Sequence, residues 1–273
     1  MAIVSAFLVP ASPLPYMQPD NPPWGRLAEG MRTAGQALES SAPDTIVIYS
    51  TGWFAVLDQL WQMRPHLQGV HVDHNWHEYG ELPFDIRIDT ELTQAAINDA
   101  NAAGIKSKGV DYDQFPIDTG TIVATNFLNP DHQRPLLNTA NNLYHDWDIT
   151  ERLGALVAAA ADRLGRRIAV VAVGGLSGAF YRHSIDIAED RIVNDADDRW
   201  NRKILGMIEA GDMDTMLAEC PDYVSEAKVD MGFKHMAFIK GALGGGLSAG
   251  KGGKVHAYGP VYGAGAAVIE FSV

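Results

Sequence analysis

Cysteine is almost missing from this chain: Cys220 is the single one among 273 residues. An internal disulfide is excluded, and a reducing compartment such as the cytoplasm fits. The setting Ala218-Glu219-Cys220-Pro221-Asp222 places acids beside the thiol, which disfavours a thiolate nucleophile. Positive charge is also scarce. Lys and Arg total 21 against 34 Asp and Glu, so the formal net charge is 21 − 34 = −13. With no long basic run, nucleic acid and anionic lipid are unexpected partners. No apolar run approaches the roughly 18 residues of a membrane span. The first apolar stretch, residues 3–9, has no basic lead and meets Pro10, so it reads as a strand rather than a signal peptide.

What is present is ordinary for a globular domain, with 47% hydrophobic and 20% charged residues. Residues 10–23 hold six prolines and read as a stiff loop, not a helix. Leu27, Met31, Ala34 and Leu38 recur at helical spacing. The β-branched stretch 45–49 then reads as a strand closed by Ser50-Thr51-Gly52, which completes a βαβ unit. Residues 84–88 alternate as a strand, Thr90 opens a helix through Ala100, and 101–108 is expected to be loop.

Asp148 and Glu151 have capping-box spacing before an amphipathic helix marked by Leu153, Leu156, Val157, Ala160 and Leu164. Ile168 to Val173 is apolar without alternation, as a strand covered on both faces requires. Helices are predicted over 195–209 and from Val229 to Leu243, glycine-rich turns over 241–253, and a last strand over 266–271. The pattern predicts one α/β domain over 1–273, with a central mixed sheet covered by helices.

Several clusters carry candidate chemistry. His66, His71, His74 and His77 lie close in sequence, with the last three at i, i+3 and i+6. They fit neither a helix nor a strand period and do not form His-Glu-x-x-His, so an accessible loop is the plainer reading than a metal cluster. Gly174-Gly175-Leu176-Ser177-Gly178 follows the strongest strand. It is neither a dinucleotide fingerprint, nor a Walker loop, nor a nucleophile elbow, and reads as a tight strand exit lining a cavity. Asp195, Asp197 and Asp198 complement the positive end of a helix more simply than they bind a cation. Trp53, Trp61 and Trp76 suit a core or an interface equally.

Seven blocks carry a family resemblance almost end to end: VSAFLVP at 4–10, VLDQ at 56–59, FPIDTG at 115–120, NNLYH at 141–145, VGGLSG at 173–178, VDMGFKH at 229–235 and GAAVIEF at 265–271. Their order and spacing resemble the class III extradiol dioxygenases of the protocatechuate 4,5-dioxygenase type, and within them the alpha-subunit branch of the 2-aminophenol 1,6-dioxygenases. The resemblance implies a ring-opening complex that uses O2 and Fe(II) held by two histidines and a glutamate. Two further histidines serve substrate and protons. It also implies a homologous catalytic beta subunit as partner, in an alpha2-beta2 heterotetramer.

Set against that pattern, the chain departs at five positions. Ser12 lies in the first-strand loop that carries an iron histidine in catalytic relatives, and Gly52 stands in Thr51-Gly52-Trp53 at the second. Gly178 replaces the acid–base histidine, Thr119 the substrate-side one, and Asp230 is the nearest match to the glutamate. The expectation is therefore a vestigial pocket of Ser12, Gly52, Thr119, Gly178 and Asp230 in a non-catalytic structural or regulatory subunit, with no cofactor of its own and Fe(II) in the partner. Two alternatives stand beside it. One is an active dioxygenase whose metal ligands have moved, to His71, His74, His77 or His145. The other is a small-molecule-binding module using the same pocket.

Overall fold

In the computed structural model, residues 2–178, 184–244, 247 and 251–273 are described. Eight strands form one mixed sheet in the order β6-β3-β7-β2-β8-β1-β10-β9. Its centre is parallel: β1 (Ile3–Val9) and β2 (Thr45–Ala55) flank β8 (Ile168–Val173), and β7 (Leu136–Asn142) runs beside β2. On one side, β10 (Ala264–Phe271) pairs antiparallel with both β1 and β9 (Gly253–Val261). On the other, β3 (Gln59–Gln62) is antiparallel to β7 and parallel to β6 (Ser107–Val110). A separate hairpin joins β4 (His66–His71) to β5 (Leu82–Arg87).

The apolar run of β8 feeds both faces. Ile168, Val170 and Ala172 join one core with α3 (Thr90–Ala102), α5 (Trp147–Arg163), α6 (Asp195–Ala210), α7 (Met213–Glu226) and α8 (Lys234–Leu243). Ala169, Val171 and Val173 join the other, under α2 (Pro22–Ser41) and α4 (Thr119–Leu128). Each fully buried Leu, Ile or Phe in these layers contributes on the order of 1.5–3 kcal/mol, so the two-sided cover is what makes a non-alternating strand stable here.

Four local expectations are corrected. The proline-rich stretch is not wholly loop: Leu14–Met17 is one helical turn (α1), and α2 starts on Pro22 and Pro23. Proline costs nothing in a first turn, where its missing N–H has no partner to lose. The cap of α5 is Asp146, whose carboxylate accepts from the Ile149 amide at 2.9 Å; Asp148 lies inside the first turn and Glu151 pairs with Lys240 instead. The stretch predicted as loop at 101–108 already enters β6 at Ser107. The helix predicted from Val229 begins only at Lys234, after a 3-10 turn at Asp230–Phe233 in which Met231, Gly232 and Phe233 are left-handed.

Helix α7 was not expected at all. Pro221 sits inside it, and its buried side, Met213, Met216, Cys220 and Tyr223, has few strong apolar markers. The glycine-rich turns expected over 241–253 fall partly outside the described residues, at 245, 246 and 248–250.

Candidate functional site at the carboxyl ends of the parallel strands

Open α/β sheets place their sites where parallel strands end, because the loops there diverge and leave a crevice. The five marked positions all lie at this edge. Ser12 follows β1, Gly52 lies in β2, Thr119 opens α4, Gly178 follows β8 and Asp230 follows α7. Gly52 is exposed and the other four are half-buried.

Strand β2 supplies the first wall. Ser50 pairs with Ala140, but the next partner, Asn141, faces Phe54, so Thr51, Gly52 and Trp53 bulge out of the ladder. Such a bulge re-aims side chains. It turns the Thr51 hydroxyl onto Asp230 Oδ2 at 2.6 Å, and it leaves the Gly52 amide 3.3 Å from Ser50 Oγ. A β-carbon at Gly52 would meet Asp118 Oδ1 at 3.3 Å.

Asp118 caps α4, accepting from the Thr121 amide at 3.0 Å, and it also accepts from the Ser50 and Thr121 hydroxyls at 2.6 Å each. Next to it, Thr119 donates to Asp73 Oδ2 at 2.7 Å and lies 2.8 Å from His71 Nε2. Asp73 is buried, and burial opposes its charge. Hydrogen bonds from Thr119 and the Asn75 and Trp76 amides outweigh that, with a smaller pull from His74, and hold its carboxyl below the usual range.

The loop after β8 supplies the opposite wall. The Leu176 amide donates to Gly265 of β10 at 2.9 Å and the Asp230 amide donates to Leu176 at 2.9 Å, so this loop and the Asp230 turn are fixed together. Asp230 Oδ2 also accepts from the Gly175 amide at 2.9 Å. Lys228, Met231 and Phe233 around it are non-glycine residues at positive φ, a conformation that costs about 1–3 kcal/mol each and persists where surrounding bonds dictate it. His235 is fully buried, and its ring meets Phe233 edge-on at 5.1 Å. Burial pulls its pKa down to about 4 against the opposing charge of Asp230, so the imidazole is neutral.

The other candidates disperse. His66 pairs with Asp85 at 2.7 Å, His74 meets Asn75, and His77 meets its own backbone at His74. His145 is half-buried, and burial together with Lys234 lowers its pKa. Burial pushes the Cys220 thiol up to about 12, which removes it as a nucleophile. Asp198 serves Arg202 and Tyr258 rather than a cation. Trp61 is core, Trp53 packs on Phe115, and Trp76 packs on Tyr79 and Tyr262. Thr51, Asp73, Asp118 and His235 belong to the site and were not singled out from sequence. Their partners are distant in the chain, and no local pattern marks them.

The Fe(II) that the resemblance implies needs three protein ligands on one face of the ion. Among the described residues, no group of three His, Cys, Asp or Glu is placed to hold a metal ion. Asp230 and His235 come together, but as a pair, with Asp230 Oδ2 already taken by Thr51 and Gly175. The described residues do not fit a two-histidine, one-carboxylate set, and no step is derived through iron.

The chain is 48% identical over 274 residues to the 2-aminophenol 1,6-dioxygenase alpha subunit of a Pseudomonas species, covering 100% of both. It is 24% identical over 290 residues to a Pseudomonas 2-aminophenol 1,6-dioxygenase beta subunit, covering 99% of this chain and 94% of the other. It is 21% identical over 154 residues to the Escherichia coli 3,4-dihydroxyphenylacetate 2,3-dioxygenase, 56% of each chain. A crystal structure of the Escherichia coli K12 protein JW3007 shares the fold, with a TM-score of 0.68 at 13% identity over 98% of this chain and 100% of that one. No helix among the described residues is long and apolar enough to cross a membrane.

The family model that matches residues 6–269 is described as the catalytic LigB subunit of aromatic ring-opening dioxygenase. That finding overturns the expectation of a non-catalytic, inactive subunit, and with it the placement of Fe(II) in a partner alone. The expectation had equated activity with the same side chains at the same five positions. The single-domain α/β fold with a helix-covered mixed sheet is that of the class III extradiol dioxygenases, and the chain belongs to the LigB family of aromatic ring-opening dioxygenases.

Proposed function

We propose that this chain is an active ring-opening dioxygenase for 2-aminophenol or a related aromatic. The observation that carries the reading is the end-to-end identity with a 2-aminophenol 1,6-dioxygenase subunit, together with the catalytic family model. In this reading residues 1–273 work as one domain, and Ser12, Gly52, Thr119, Gly178 and Asp230 line the substrate cleft. Three of these, Ser12, Gly52 and Gly178, carry small or absent side chains at the carboxyl edge of the sheet. A homologous beta-type chain is its partner, in an alpha2-beta2 assembly in the cytoplasm. Support for a partner comes from the beta subunit to which the chain is also related.

The test is to fill the cleft. Gly52→Phe places a ring where the backbone is exposed, and 2-aminophenol binding to the full chain should weaken about tenfold or more. Unchanged binding would place the substrate elsewhere and remove the reading.

A further inference from the structure

Two neighbouring loops at the carboxyl edge of the sheet carry large apolar side chains in water. Strand β2 ends at Ala55 and β3 begins at Gln59, so Val56, Leu57 and Asp58 make the turn between them. Turns favour Gly, Pro, Asn, Asp and Ser, for backbone reasons that Val and Leu do not meet. Leu57 is nevertheless 89% exposed, and Val56 and Phe54 beside it are exposed as well. On the next strand, β7 ends at Asn142, and Leu143 and Tyr144 follow, both exposed, Tyr144 at 77%. The Leu143 amide donates to the Ala55 carbonyl at 2.9 Å, which sets the two loops side by side.

A loose loop would fold such side chains inwards. This one is held with them out. The Tyr144 amide donates to Asn142 Oδ1 at 3.0 Å, and the buried Lys234 ammonium donates to the Asn142 and His145 carbonyls at 2.8 and 3.1 Å. An ammonium is costly to bury, and here it fixes the loop that presents Leu143 and Tyr144. A surface fixed before contact loses little freedom on binding. The five side chains together expose roughly 600 Å2, the upper end of the largest apolar patch on an ordinary monomer. Asp58, paired with Lys108 at 2.8 Å, and the exposed Asp146 supply polar groups at its edge. An apolar centre with a polar rim of this size approaches the ~800 Å2 that each partner brings to a stable interface.

We infer that Phe54, Val56, Leu57, Leu143 and Tyr144 form the docking surface for the homologous beta-type chain, with Leu57 and Tyr144 as its anchors. This rests on the partner reading above and not on turnover by this chain. A second copy is disfavoured, because it would press together two chains of net charge −13. A beta-type chain, related over 99% of this one, offers corresponding strand ends for a pseudo-two-fold contact. The surface adjoins the cleft: Phe54 closes the same β2 bulge that carries Gly52. The competing account is a set of apolar side chains that cover nothing.

Titration calorimetry of the full chain against the purified beta-type homologue separates the two. Leu57→Arg and Tyr144→Ser should each raise Kd about 30-fold or more, the scale of a lost interface anchor. Val70→Arg changes an equally exposed valine on the separate hairpin and should leave Kd within about twofold. All three side chains lie in water, so Tm should not move. Hydrogen exchange of the unsubstituted chain gives a second readout: amides over 56–58 and 143–145 should slow in the complex. Kd within about twofold of the parent in both patch variants, or no slowing at the two loops, would overturn the inference. So would self-association of the chain alone that Leu57→Arg abolishes, which would give the surface to a second copy. No complex with the unsubstituted chain would remove the partner reading and this surface together, while oxygen uptake decides the ring-opening reading separately.

Discussion

Asp230 and His235 converge on Gly174: Oδ2 of one and Nδ1 of the other each lie 3.0 Å from the point where a β-carbon on that glycine would sit. Thr51 Cγ2 is 2.9 Å from the same point, so three groups from three elements close around a bare backbone. The glycine at the exit of β8 is set by this crowding and not by its dihedral angles. Gly174→Ala should therefore destabilise the chain by about 1–3 kcal/mol, the cost of overpacking. Chemical denaturation of the variant measures it.

His235 makes stability depend on pH. Burial holds its folded pKa below the ordinary value of 6.5, so the unfolded chain binds the extra proton first. The contribution is whole above about pH 6.5 and is lost as pH falls below that. His235→Leu should flatten that part of the stability–pH curve. A slope unchanged in the variant would assign it to other groups.

Asp118 joins the β2 bulge to α4 through the Ser50 hydroxyl, the Thr121 hydroxyl and the Thr121 amide. Asp118→Ala removes a helix cap and leaves those donors without an acceptor. The expected loss is about 1–3 kcal/mol, and Asp118→Asn should recover part of it. Thermal unfolding of the pair gives the comparison.

Met231 sits at φ 45° in the turn that presents Asp230. Met231→Gly removes the left-handed penalty and should hold or raise Tm, whereas the β-branched Met231→Val should cost about 1–3 kcal/mol. Equal effects from the two would mean that packing, not backbone conformation, governs the position.

The sheet was largely legible. The unbroken apolar run at Ile168–Val173 announced a strand covered on both faces, and Leu27, Met31, Ala34 and Leu38 showed which side of α2 faces in. The site was legible only in outline. Gly52, Thr119, Gly178 and Asp230 were marked through family motifs, but what they touch depends on partners far along the chain. Thr51 reaches Asp230 across 179 positions, and Asp73 reaches Thr119 across 46. Local periodicity carries no trace of such pairs. The left-handed turn at Met231–Phe233 was hidden for a related reason. Its apolar spacing continues a helix, while the bonds that Asp230 makes with Leu176, Gly175 and Thr51 hold the turn before it. The misplaced α5 cap came from two aspartates, Asp146 and Asp148, each at plausible cap spacing.

The most direct measurement of the ring-opening account is oxygen uptake by the purified full chain supplied with Fe(II) and 2-aminophenol, run alone and with its beta-type homologue. The account expects this chain alone to take up one O2 for each ring opened, and expects the signal to fall when Gly52→Phe closes the cleft. No uptake by the chain alone, with turnover by the homologue unaffected when this chain is left out, would contradict it.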